Sequence, residues 1–134
     1  MTFSAFAKVL YPYCGKGLKQ SDFVVLLIDK IMEGQPGRAH SDGGYQNPLR
    51  NKDERTLLSY FNDERNIPKG EASLILSHIS KYKFEMYLRN ALSEDALELL
   101  KAKLSQQIPI KDSEDVVEAC TDQLVAVIDN LASK

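Results

Sequence analysis

Residues 50–79 read RNKDERTLLSYFNDERNIPKGEASLILSHI, and the fold class turns on them. Asn51 or Asp53 can cap a helix whose apolar positions are Leu57, Leu58, Tyr60 and Phe61. A short side-chain oxygen there accepts a bond from a first-turn N–H that has no partner within the helix. Asn62 and Asp63, residues that tolerate a left-handed turn, follow. Pro68 then opens a second helix where its missing N–H costs nothing. Ala72, Ile75, Leu76 and Ile79 recur at helical spacing. Two amphipathic helices joined by a tight polar turn are the expectation.

Working outward, the same periodicity recurs on both sides. Phe3, Phe6, Ala7, Leu10 and Tyr11 fall on one helix face, which Pro12 is expected to end. Ser21 is the expected cap of a second helix, Asp22 to Glu33, closed by Gly34. Its FVVLLI run is apolar nearly all round, which marks a central core helix or a self-association face. Between Gly34 and Asn47 the polar stretch GQPGRAHSDGGYQN holds four of the seven glycines, and a loop of that length inside a domain is expected to be either functional or mobile.

C-terminal to the central hairpin, Ser80 can start a helix bearing Phe84, Tyr87 and Leu88. Ser93 can start another with the stripe Ala96, Leu97, Leu100 and Leu104. Its order of charges, Glu94 and Asp95 first and Lys101 and Lys103 last, suits the helix dipole. Asp112 or Ser113 is the expected cap of a final helix. One side carries Val117, Cys120, Leu124, Val127, Ile128 and Leu131, and the other Asp115, Glu118, Asp122 and Asp129. No useful length alternates with period two. The reading is therefore all-α: a compact bundle of six or seven short helices in a single domain, 1–134, with a Gly-rich loop after the second helix and residues 112–134 as a packed C-terminal helix.

The run TLLSYFNDERNIPKGEASLIL resembles the second half of the lambda-repressor-like helix-turn-helix family. In that family a recognition helix ends in a turn, an Arg or Lys follows, and a further helix begins near a Pro. About thirty of the 134 residues carry the likeness. Asp63 stands where the family usually has Gly, and the usual preceding helix would fall on Gly-rich sequence. The resemblance implies a DNA-binding regulator whose Arg50, Lys52, Arg55, Thr56, Ser59, Arg65 and Lys69 face the duplex.

Charge points elsewhere. The formal net charge is −2, whereas dedicated nucleic-acid binders carry a basic surplus. Residues 1–20 hold Lys8, Lys16 and Lys19 with no acid. From Asp112 onward six acids face only Lys134. An acidic helix face can dock on a basic partner, so Asp115, Glu118, Asp122 and Asp129 are the candidate protein-binding residues.

Reactive chemistry is sparse. His40 and His78 are the only histidines, and His40 beside Ser41 and Asp42 makes no triad, because triad side chains converge from different elements. Cys14 lies near Lys16, and Cys120 falls on an apolar helix position; neither has a partner at metal-ligand spacing. The glycines at 34, 37, 43 and 44 lack the Lys-Ser/Thr of a phosphate loop. No run approaches the roughly 20 apolar residues of a membrane span, and no secretory signal is visible. The expectation is a non-enzymatic helical interaction module in the cytoplasm: a regulator, adaptor or inhibitor without cofactor or metal. It would have a protein partner, with self-association as a further option and DNA binding as the alternative function.

Overall fold

The computed structural model describes residues 1–33 and 47–134, and its secondary structure there is helical. The helices are α1 (Phe3–Cys14), α2 (Gln20–Ile31), α3 (Glu54–Asn62), α4 (Lys69–Ser77), α5 (Lys81–Ala91), α6 (Glu94–Ser105) and α7 (Val116–Ala132). A 3-10 turn, Glu64–Asn66, joins α3 to α4. Among the described residues there is no strand, only an isolated antiparallel bridge between Met32 and Ile79. The all-α bundle follows; the Gly-rich stretch and His40 lie outside the described residues.

Short polar side chains start most of these helices. Asp53 accepts from the Thr56 N–H at 2.8 Å, Ser80 from Lys83 at 3.2 Å and Ser93 from Ala96 at 3.1 Å. Thr2 does the same for α1 through Ala5, at 3.1 Å. Each such oxygen satisfies one orphan donor of its helix.

Apolar stripes then assemble one core. The longest element, α7, buries Val117, Cys120, Leu124, Val127, Ile128 and Leu131, all on the side the spacing indicates. It packs along α4 and against α1, α5 and α6. The partner pair α2–α3 closes the other side, with α1 touching both. The FVVLLI run divides its labour: Phe23, Val24, Leu27 and Ile28 are buried, while Val25 and Leu26 are only partly so and line a surface groove.

Several expected boundaries move, each for a physical reason. α1 runs through Pro12 to Cys14. Proline deprives the Lys8 carbonyl of its usual donor, but the turn is held by Tyr11. That ring meets Phe23 and Phe61 edge-on at centroid distances of 5.4 and 5.6 Å, and its hydroxyl donates to the Leu18 carbonyl. Ser21 is not a cap; it is buried inside the first turn of α2, and the N-cap is Lys19, whose side chain makes no capping bond. A turn through Gly17, whose φ of +83° suits glycine, delivers the chain there instead. α2 ends at Ile31, because Met32 turns extended to pair with Ile79.

Asn62 and Asp63 make no left-handed turn. Asp63 is extended, and its carboxylate accepts from the Arg65 guanidinium at 2.7 Å, bending the chain into the 3-10 turn. Pro68 stands one residue before α4, at its N-cap, and Ile79 lies beyond that helix. The final helix is capped by Asp115, which accepts from Val117 at 2.9 Å, and not by Asp112 or Ser113. Those two belong to a preceding turn in which the Glu114 N–H donates to the Lys111 carbonyl at 3.0 Å.

Gly15 is dictated by close approach. A Cβ there would lie 2.2 Å from the Tyr11 ring, and the ring is pinned between two phenylalanines. Gly15→Ala is therefore expected to destabilise by about 1–2 kcal/mol through overpacking, read as a lower urea midpoint. An unchanged midpoint would mean that Tyr11 is not fixed.

Candidate interaction surfaces

Three parts of the surface bring together the residues singled out in the sequence. The first is the region of the helix-turn-helix resemblance. Arg50 donates to Asp29 at 2.7 Å, Lys52 to Glu71 at 2.6 Å and Arg65 to Asp63 at 2.7 Å. Each of these three cations thus faces a carboxylate of the same chain. Arg55 and Lys69 are exposed, and Thr56 and Ser59 are half-buried, with the Ser59 hydroxyl donating to the Thr56 carbonyl at 2.6 Å. Asp53 interrupts the row; hydrogen bonds from Thr56, aided by the nearby Arg55 charge, hold its carboxyl below the ordinary range.

The second is a groove of about 610 Å³ between α2 and α3. Leu18, Val25, Leu26 and Leu57 give it an apolar lining, and Asp22, Asp29, Arg50 and Lys52 carry its charge. An exposed Lys19–Glu54 ion pair, 3.0 Å long, lies across it, and the space continues past that pair to Tyr11, Arg55 and Leu58. Sequence reading missed this groove. The only signal was a run apolar on every side, which one helix cannot bury completely.

The third is the acidic face of α7. Glu118, Asp122 and Asp129 are exposed there. Asp122 faces Lys81 of α5 at 3.1 Å. Asp115 is tied down twice, as the cap of the helix and as the partner of Arg89 at 2.5 Å. The Arg89 hydrogen bond, with help from the Val117 N–H, draws the Asp115 carboxyl below its ordinary range. The stripe is therefore half answered by α5, while Glu118 and Asp129 form no ion pair among the described residues.

The cysteines and His78 occupy structural positions. Burial pushes the Cys14 thiol up to about 11, a shift only partly offset by a hydrogen bond with the Tyr87 side chain. Such a thiol stays protonated at neutral pH and is a poor nucleophile. Cys120 is fully buried, and its thiol is raised further for the same reason. The His78 carbonyl accepts from the Glu33 N–H at 2.6 Å, at the end of α4. Among the described residues no group of three or more His, Cys, Asp or Glu side chains could hold a metal ion, and no helix is long and apolar enough to cross a membrane.

These carboxylates set an acid limit. Asp53, Asp63 and Asp115 all titrate below their ordinary values, Asp63 at about 2 because Arg65 donates to it. A carboxyl that is more acidic when folded stabilises above its unfolded pKa, about 4, and that stability is lost as pH falls through the folded value. The urea midpoint is expected to be flat near neutrality and to fall between about pH 4 and pH 2, less steeply in Asp115→Asn. A midpoint unmoved across that window would contradict the pairings.

No protein-family model, curated protein or solved structure matches the chain.

Proposed function

We propose that the chain is a helical protein–protein interaction module, acting as a regulator, adaptor or inhibitor by surface contact. One observation carries this reading. In the stretch that resembles a DNA-reading motif, Arg50, Lys52 and Arg65 are each already paired with a carboxylate of their own fold. Phosphate contact would require breaking those pairs and bringing Asp29, Glu71 and Asp63 close to a polyanion. Duplex binding draws its affinity from cations free to displace counterions, and these three are not free. Protein surfaces, by contrast, tolerate balanced charge around apolar patches, as in the α2–α3 groove. The protonated Cys14 thiol likewise favours contact over covalent chemistry.

On the acidic face, Glu118 and Asp129 are the residues offered to a basic partner; Asp122 is shared with Lys81, and Asp115 contributes mainly by starting α7. Two measurements on the intact chain test the proposal. Duplex binding, followed against salt, is expected to be absent even at low ionic strength. A protein partner captured from native cells is expected to be lost when Glu118→Lys, Asp122→Lys and Asp129→Lys are combined. Salt-steep duplex binding that weakens in Arg55→Glu, together with undiminished capture by the charge-reversed variant, would replace this reading with a DNA-binding regulator.

A further inference from the structure

α1 and the end of α6 enclose a second groove, of about 460 Å³, on a face that none of the surfaces above includes. Its lining is apolar along α1, from Val9, Pro12 and Tyr13. Its charges are Lys8 and Lys103, and no acidic residue lines it. Both lysines are exposed and form no ion pair among the described residues; Lys8 only approaches the Phe61 ring, at 6.0 Å from its centroid. Elsewhere Lys19, Arg50, Lys52, Arg65, Lys81 and Arg89 are each paired with a carboxylate of the same chain. The absence of acids from residues 1–20 is the sequence counterpart of the groove's lack of an acidic lining.

We infer that the α1–α6 groove is a docking site for an acidic peptide segment that carries an apolar anchor. Two uncompensated cations over an apolar floor select an occupant that is both anionic and apolar. Two features favour a peptide over a simple amphiphilic acid. Pro12 brings no N–H to the Lys8 carbonyl, so a backbone acceptor lacks its usual donor beside the groove. Gln106 and Gln107 present side-chain amides that can both donate to and accept from a peptide backbone. An extended acidic peptide supplies carboxylates for the lysines and N–H groups for the acceptors; a fatty acid supplies only the first.

The inference rests on the interaction-module reading but concerns a different face and a partner of opposite charge from the one facing α7. The probe is a fluorescein-labelled peptide with one leucine flanked on each side by aspartates and glutamates, titrated against the intact chain and followed by anisotropy. Saturable binding is expected. It should weaken with salt and fall about tenfold or more in the Lys8→Glu/Lys103→Glu variant. Lys8→Gln/Lys103→Gln should lie between, with unchanged circular dichroism because both side chains are exposed. In the bound state the amide signals of Val9, Tyr13 and Gln107 should shift. The variant reversed at Glu118, Asp122 and Asp129 should bind the peptide unimpaired, so failure of the α7 reading and failure of this one separate. No binding, equal affinity in the lysine-reversed variant, shifts confined to other faces, or displacement of the peptide by laurate at matched concentration would each overturn the assignment.

Discussion

Phe23→Ala is expected to destabilise the fold by about 3–5 kcal/mol, the range for emptying a buried phenyl site. Phe23 has no exposed surface and lies on the buried side of α2. Its edge contact with Tyr11, at 5.4 Å between centroids, links it to the ring that also meets Phe61 of α3. Removing it leaves a void where α1, α2 and α3 converge, and loosens the ring that carries α1 past Pro12. Much of a typical domain's stability, roughly 5–15 kcal/mol, would go with one side chain. The check is a urea melt in which the midpoint drops while the slope stays constant. Phe23→Leu should recover most of the loss. A cost below about 1 kcal/mol would mean that α2 is not seated in the core as described.

The second large effect concerns a cation. Lys83 sits on α5, half-buried, and its ammonium donates to the carbonyls of Asp29 at 2.5 Å and Met32 at 2.8 Å. Those carbonyls end α2, where no intrahelical donor remains and where the dipole is negative. Burial lowers the Lys83 pKa, and the nearby Asp29 charge opposes that shift. Lys83→Met keeps the stem and removes the donor. It is expected to cost roughly 2–4 kcal/mol, since charge-assisted bonds contribute about 1.5–3 each and the stranded acceptors add a desolvation penalty. Lys83→Arg should retain part of the stability, because it keeps a donor there. If Lys83→Met melted like the parent, water would have to be serving those carbonyls equally well.

The helices were legible where the signal was local. Asp53, Ser80 and Ser93 announce their helices because a short oxygen directly precedes an apolar period of 3.6, and nothing distant competes. The α7 stripe was legible for the same reason, being long and regular. The start of α7 was not. Asp112, Ser113 and Asp115 are all competent caps, and only the turn at 111–114 decides among them. Nor could Pro12 be read correctly: whether a proline ends a helix depends on what holds the next turn, here a ring gripped by residues 23 and 61.

Surface charge was the least readable layer. The sequence displays a basic hairpin and an acidic tail. In the fold, Asp29, Glu71 and Asp63 answer the first while Lys81 and Arg89 answer part of the second. The groove with unanswered cations is built from Lys8 and Lys103, which lie far apart in the chain. Periodicity carries no information about such a pairing.

One small feature concerns how the chain is closed on itself. Glu33 donates to the His78 carbonyl at 2.6 Å and Ser80 donates to the Ile31 carbonyl at 2.7 Å. The polypeptide thus leaves the end of α2 and returns to it at one point, so the segment carrying α3 and α4 is closed at its base by two backbone bonds as well as by its packing on α2 and α7. Deuterium exchange at the Glu33 and Ser80 amides is therefore tied to release of that whole segment and not to fraying of a single helix end.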